Sequence, residues 1–176
     1  MVEASLNNVI RRFGSHTGRR IYFGYDRYVL PDLEAYLAIM SAKAEVICAV
    51  DRNYLHYLTS AELVCSAIQA DPESVGILMC GTGMGMSIAA NKFTGIYAAR
   101  CTSIVDAELS RTINNANVLC IAANSGVEHN RPIIEAFALT AFTGRKLDEL
   151  EYITQFEQLP GPSKLAVKAR ALRRTA

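Results

Sequence analysis

The chain has 176 residues, 51% of them hydrophobic, and a formal net charge of +1. That length and apolar content suit one globular domain with a full core. The near-zero charge gives no overall electrostatic case for nucleic acid or a membrane surface, and no apolar run approaches membrane-spanning length.

Taken in order, residues 1–8 lack the basic start and apolar core of a signal peptide. Leu6, Val9, Ile10 and Phe13 are spaced as an amphipathic helix, and Gly14-Ser15-His16-Thr17-Gly18 breaks it. Residues 1–19 therefore read as a helical N-terminal extension, and residues 20–158 as the main domain. Ile21-Tyr22-Phe23-Gly24 predicts strand one, ending at Tyr25-Asp26-Arg27. Residues 32–43 predict a helix with Leu33, Tyr36, Leu37 and Met40 on one face. Strand two follows over 45–50, a tyrosine-rich polar loop over 51–58 and a helix over 60–70. Strand three spans 75–80, strand four 95–100, a helix 103–112, strand five 117–122 and a helix 132–142. Short strands alternating with helices predict an α/β fold, a Rossmann-like three-layer sandwich with a five-stranded parallel sheet and helices on both faces. A last helix over 147–158 is stopped by Pro160-Gly161-Pro162. Residues 159–176 form a basic tail with Lys164, Lys168, Arg170, Arg173, Arg174 and no acid. A solvated terminus is the favoured reading of that tail over a nucleic-acid contact.

Five cysteines, Cys48, Cys65, Cys80, Cys101 and Cys120, show no CxxC spacing. Four lie in apolar runs, which predicts reduced core thiols in a cytoplasmic protein. His16, His56 and His129 are too dispersed for a zinc site.

The chain is organised around residues 75–95, VGILMCGTGMGMSIAANKFTG. A buried strand ends at Cys80, the glycines 81, 83 and 85 stop regular structure, and a helix begins. Strand, glycine loop and helix is the unit that holds anions at a helix N-terminus, and open α/β sheets bind ligands at the carboxyl ends of their strands. The spacing is neither a dinucleotide fingerprint nor a Walker-type phosphate loop. An arbitrary unpaired cysteine is more often a small core residue than a reactive one.

The phrase CGTGMGMSIAANK, followed by Asn114-Asn115-Ala116-Asn117-Val118-Leu119, resembles the type B ribose-5-phosphate isomerases and their galactose-6-phosphate isomerase relatives. The resemblance is strong over residues 76–117 and looser towards 20 and 157. It implies an aldose-ketose isomerase of a phosphorylated sugar, ribose 5-phosphate or a related pentose or hexose phosphate, of the kind that serves the pentose phosphate pathway. The reaction would pass through a cis-enediolate with Cys80 as base. It also implies a homodimer with active sites shared between subunits, and neither cofactor nor metal. A thiolate at a helix N-terminus can move a proton between adjacent carbons. Thr82 and the amides of Gly81, Gly83 and Gly85 would then hold the developing oxyanion. Asp26 matches the aspartate of the family's Asp-His pair, with Arg27 in place of the histidine. Tyr57 is an expected sugar contact. Asn91 and Asn114 are expected substrate ligands, and Arg27, Arg111 and Arg145 are expected at the phosphate. Ser87 reads as a helix-surface residue and Asn117 as the start of strand five.

The departure from the family is Thr102, where many relatives carry a histidine thought to open the furanose ring. Threonine is no general acid near neutral pH. Ser103-Ile104-Val105-Asp106 reads instead as a helix capping box, and His56 is the substitute acid that the sequence offers. Two alternatives follow: a non-catalytic sugar-phosphate-binding paralogue, or one subunit of a hetero-oligomeric galactose-6-phosphate isomerase.

Overall fold

The structure is a computed structural model, which describes residues 20–158. The N-terminal extension and the basic tail lie outside the described residues. Five strands, β1 (Arg20–Tyr25), β2 (Glu45–Cys48), β3 (Val75–Cys80), β4 (Ala98–Arg100) and β5 (Val118–Ala122), form one sheet. Their order is β2-β1-β3-β5-β4, and every pairing is parallel. Six helices connect and cover them: α1 (Leu33–Ser41), α2 (Tyr57–Ala70), α3 (Met84–Ala90), α4 (Ile104–Thr112), α5 (Val127–Leu139) and α6 (Leu147–Thr154). A 3-10 turn, Arg27–Asp32, follows β1, and another, Ala123–Ser125, follows β5.

The core has two layers because side chains alternate across each strand. Val75, Ile77 and Met79 of β3 face α1 and α5 together with Ile21, Phe23, Leu119, Ile121, Tyr36 and Phe137. Leu78 and Cys80 face α2 and α3 with Val64, Ile68, Met86, Val118 and Cys120. All six residues of β3 are buried, as expected of a central parallel strand. Each fully buried aliphatic or aromatic side chain contributes about 1.5–3 kcal/mol. Helix α2 lies tight on this second face. A β-carbon at Gly24 would stand 2.7 Å from Val64, and one at Gly76 2.7 Å from Ile68. Both positions need glycine for this close approach.

The expected three-layer architecture is the observed one, with local differences at element ends. Strand four starts at Ala98 rather than residue 95, because Ile96 closes a turn onto Phe93 (3.1 Å) and Gly95 has φ +75°. Helix α5 starts five residues before Pro132, on the Gly126 turn, so the proline sits inside the helix rather than opening it. Helix α2 starts at Tyr57 because His56 caps it, its Nδ1 accepting from the Leu58 amide at 3.3 Å. Cys65, Cys80, Cys101 and Cys120 are buried as expected, and Cys48 is exposed near the sheet edge.

Candidate active site

The loop that leaves β3 is held by its own backbone groups and by its neighbours. Gly83 adopts φ +73°, and a β-carbon there would meet the Ile121 carbonyl carbon at 2.9 Å, so only glycine lets the loop curl over β5. The Gly83 amide donates to Cys80 Sγ at 3.2 Å. The Asn124 amide donates to the Gly81 carbonyl at 3.2 Å, and Arg100 Nε donates to the Thr82 carbonyl at 2.9 Å. Thr82 Oγ1 accepts from the Met84 amide at 3.3 Å, at the entry to α3. Five of the loop's polar groups are thus committed within the protein. Among the described residues the amides of Thr82 and Gly85 make no hydrogen bond.

Beside this loop lies an open cleft of about 290 Å³. Cys80, Gly81, Thr82 and Gly85 form one wall. Asp26 and Tyr28 approach from the end of β1, Tyr57 from the start of α2 and Asn124 from the turn after β5. Gly85 is pressed against the Tyr57 ring, where a β-carbon would come within 2.8 Å. The cleft opens at the carboxyl ends of β1, β3 and β5, where the parallel sheet predicts a ligand.

Asp26 is only 7% exposed. Its Oδ1 accepts from the Tyr28 amide at 3.0 Å and caps the 3-10 turn. Burial pushes its carboxyl above the usual carboxylate range, against the opposing pull of the Tyr28 amide, Arg27, the Gly81 amide and nearby His56. A carboxyl poised in this way is suited to hold or pass a proton. In the core behind the cleft, burial pushes the Cys65 thiol up to about 12.

Of the residues expected from sequence, Asp26, Tyr57, Cys80, Gly81, Thr82 and Gly85 line one cleft. Gly83 belongs to the same loop, but its amide is committed to Cys80 Sγ. The amides of Thr82 and Gly85 remain open as donors. Arg27 is exposed at the rim, its guanidinium 5.3 Å from the Tyr28 ring centroid. Ser87 is half-buried on α3, and His56 is half-buried and stacked on Tyr54 (5.4 Å).

Four expected ligands lie elsewhere. Asn91 is a staple between α3 and β4: its Nδ2 donates to the Ser87 and Ala98 carbonyls, and its Oδ1 accepts from the Ala98 amide. Asn114 shares with Asn91 and Tyr97 a second cleft of about 240 Å³ beneath α6. Arg111 is fully buried, with its guanidinium on the Ala116 and Thr140 carbonyls and over the Phe137 ring at 5.4 Å. It ties the end of α4 to α5, and its position in the helical sequence gave no sign that it points inward. Arg145 is exposed on the segment between α5 and α6 and does not line the Cys80 cleft. Asn117 holds the start of β5 through the Tyr97 amide and the Gly95 carbonyl, at 2.8 Å each.

Thr102 is tied to structure as expected. Its amide and hydroxyl both donate to Asp106 at 2.9 Å, and Ser103 Oγ accepts from the Asp106 amide at 3.1 Å. These bonds hold the Asp106 carboxyl below the usual range, the Thr102 amide contributing most. His129 on α5 also reaches Thr102, with Nε2 3.0 Å from its carbonyl oxygen. Sequence reading missed Tyr28, Asn124 and Arg100. The first two sit just past the ends of β1 and β5, where the rule of strand carboxyl ends already pointed. Arg100 gives no local signal, since its partner lies 18 residues away.

A sequence profile described as ribose/galactose isomerase matches residues 25–153. A ribose-5-phosphate isomerase B of Escherichia coli is 40% identical over 108 residues, which span 60% of this chain and 70% of that protein. A 4-deoxy-4-sulfo-D-erythrose isomerase of a Clostridium species is 44% identical over 92 residues, 49% of this chain and 55% of that one. The type B ribose 5-phosphate isomerase of Leishmania infantum superposes with a TM-score of 0.72 at 38% identity, covering 80% of this chain and 97% of the solved one.

Proposed function

The chain belongs to the ribose/galactose isomerase family, and from that premise we propose that it interconverts an aldose and a ketose phosphate with Cys80 as the base. The observation that carries this reading is the sulfur of Cys80, at the wall of an open cleft, accepting the Gly83 amide at 3.2 Å with a buried carboxyl across from it. In the proposed reaction the Cys80 thiolate takes the proton from the carbon beside the carbonyl. The C–H electron pair becomes the second bond of the enediolate, and the carbonyl oxygen takes the negative charge. The unengaged amides of Thr82 and Gly85 face that charge as preorganised donors. Asp26, whose carboxyl burial pushes above the usual carboxylate range, exchanges the proton that must pass between the two oxygens. Cys80 then returns its proton to the neighbouring carbon, so no atom is gained or lost. Neither metal nor cofactor enters this sequence. Tyr28, Tyr57 and Asn124 are placed to meet the sugar hydroxyls.

The substrate class is proposed as ribose 5-phosphate and ribulose 5-phosphate or a related pentose or hexose phosphate. The working form is proposed as a homodimer. Met84 and Ile88, one turn apart on α3 beside the loop, are 54% and 66% exposed, which supports a covered face there. No helix among the described residues is long and apolar enough to cross a membrane. Turnover in both directions on a panel of pentose and hexose phosphates tests the activity. Cys80→Ala should lose two to three orders of magnitude, roughly the scale of general-base catalysis. Cys80→Ala with unchanged turnover on the best substrate rules the mechanism out.

One observation favours a second reading. Among the described residues no lysine, arginine or histidine lines the cleft. A sugar-phosphate binder without turnover, or one subunit of a hetero-oligomeric isomerase, fits a site whose cations come from elsewhere. The same panel separates these readings: binding without turnover by the isolated chain supports the first, and activity only with a second polypeptide supports the other.

A further inference from the structure

Arg100 closes β4, two strands away from Cys80, and it is connected to the Cys80 sulfur through a single peptide group. Its Nε donates to the Thr82 carbonyl at 2.9 Å. In a trans peptide the carbonyl and the N–H of one unit point in opposite directions, and no cis peptide is present among the described residues. The unit that carries the Thr82 carbonyl also carries the Gly83 N–H, and that N–H donates to Cys80 Sγ at 3.2 Å. One peptide plane is therefore gripped at its oxygen by a cation and at its hydrogen by the sulfur. Among the described residues no carboxylate lies within ion-pair distance of the Arg100 guanidinium.

Resting on the reading of Cys80 as base, we propose that Arg100 is a positioning residue for it: through the Thr82–Gly83 peptide, Arg100 aims and strengthens the hydrogen bond that holds negative charge on the Cys80 sulfur.

The physical case has two parts. A peptide next to a glycine at φ +73° turns easily, because no β-carbon restrains it. The guanidinium fixes its direction, so the N–H meets the sulfur rather than the solvent. A charge-assisted hydrogen bond at the carbonyl also polarises the peptide, which makes its N–H a stronger donor. The effect is local: Arg100 is itself exposed, so its direct field is screened by salt, while the bonded peptide is not displaced by it.

The other groups around Cys80 act separately. Asp26 and Tyr28 face it across the cleft, Tyr57 stands at the start of α2 with His56 beside it, and Cys65 and Cys120 lie behind it in the core. Asp26 opposes charge on the sulfur, and the two core thiols are held neutral by burial. The hydrogen bonds of the Thr82–Gly83 peptide go to Arg100 and Cys80 Sγ and to none of these groups.

The test compares Arg100→Met, which removes donor and charge, Arg100→Gln, which keeps a donor without charge, and Arg100→Lys. Alkylation of Cys80 by iodoacetamide is followed as a function of pH by mass spectrometry of its peptide, which sets it apart from exposed Cys48. Turnover of ribose 5-phosphate is measured alongside. Arg100→Met is expected to lower kcat roughly tenfold with KM within about twofold, and to move the midpoint of Cys80 alkylation up by about one pH unit, the scale of one charge-assisted hydrogen bond felt through a peptide. Arg100→Gln should also move the midpoint up, and Arg100→Lys should recover most of both effects. An unchanged alkylation midpoint in both Arg100→Met and Arg100→Gln overturns the proposal, even if activity falls, because loss of shape alone would do that. The outcome is separable from the base assignment. If Cys80→Ala keeps turnover, the base reading fails, and the alkylation midpoint still decides whether Arg100 acts on the sulfur.

Discussion

Asp26 carries two demands that pull its carboxyl in opposite directions. It must cap the turn after β1, which calls for an oxygen acceptor facing the Tyr28 amide, and it must sit 7% exposed at the floor of the cleft, which penalises its charge. Burial wins, and its folded value lies above its unfolded one. For an acid of that kind the protein binds more protons folded than unfolded between the two values. The stability cost of charging Asp26 is thus absent below the ordinary carboxylate range and grows as pH rises through the window up to the folded value. Above that window it is constant. Asp26→Asn keeps the cap, since asparagine is as good an N-cap as aspartate, and removes this cost. We expect its melting temperature relative to the native chain to rise between about pH 3 and neutrality, while turnover falls by two orders of magnitude or so. A difference in melting temperature that is flat with pH would mean that the buried carboxyl is not penalised. At this scale the sequence was informative about position: Asp26, Cys80 and Thr82, each read from a strand end or a glycine loop, line one cleft. Arg111 and Asn91 were not legible in this way, because a cation or an amide on a helix reads as a ligand until its partners are known. Here those partners are backbone carbonyls of distant elements.

The loop and the helix it opens form the element on which the site depends. Gly83 is fixed twice over, by its positive φ and by the 2.9 Å approach of a β-carbon to the Ile121 backbone, which cannot shift as a side-chain tip can. Gly83→Ala is expected to cost about 2 kcal/mol of stability, from left-handed strain plus the displaced loop. It should also cost most of the activity, because the amide on Cys80 Sγ moves with the backbone. Chemical denaturation and kcat on the same preparation check both, and a variant that loses activity with full stability would place the effect on the amide alone. The capping box before α4 is a second element-scale feature that sequence spacing revealed, since Ser103 and Asp106 satisfy orphan helix amides locally. The ends of β4 and α5 were harder to read. Pro132 suggested a helix start, because proline is favoured in a first turn. In the fold, Gly126 already turns the chain after β5, and α5 can begin there and carry the proline within it.

At the scale of the whole molecule, the strand order β2-β1-β3-β5-β4 brings β1, β3 and β5 together, and their carboxyl ends supply Asp26, Cys80 and Asn124 to one cleft. The alternation of short apolar strands with helices was enough to foresee that sheet, because parallel strands buried on both faces leave near-continuous apolar runs. It could not foresee which cations serve the cleft, since that depends on surfaces meeting rather than on local pattern. Among the described residues the lining holds a carboxylate and no cation, yet the proposed phosphorylated sugar would bring close to two negative charges. Arg27 stands at the rim, and Arg145 is exposed on the segment before α6, away from its own cleft. The proposed homodimer, with each Arg145 serving the other subunit's cleft, would resolve the mismatch, and subunit mixing tests it. Cys80→Ala and Arg145→Ala are each prepared as nearly inactive homodimers, mixed and allowed to exchange. If Arg145 acts across the interface, each mixed dimer contains one site with both residues intact and one with neither. Random exchange makes half of the dimers mixed, so roughly a quarter of native activity should return in a closed two-fold dimer. If Arg145 acts within its own subunit, every site in every mixed dimer lacks one of the two residues, and no activity returns. A mixture that exchanges subunits, as shown by mass, yet stays inactive would assign the phosphate to cations of the same chain, with Arg27 the first of them to change.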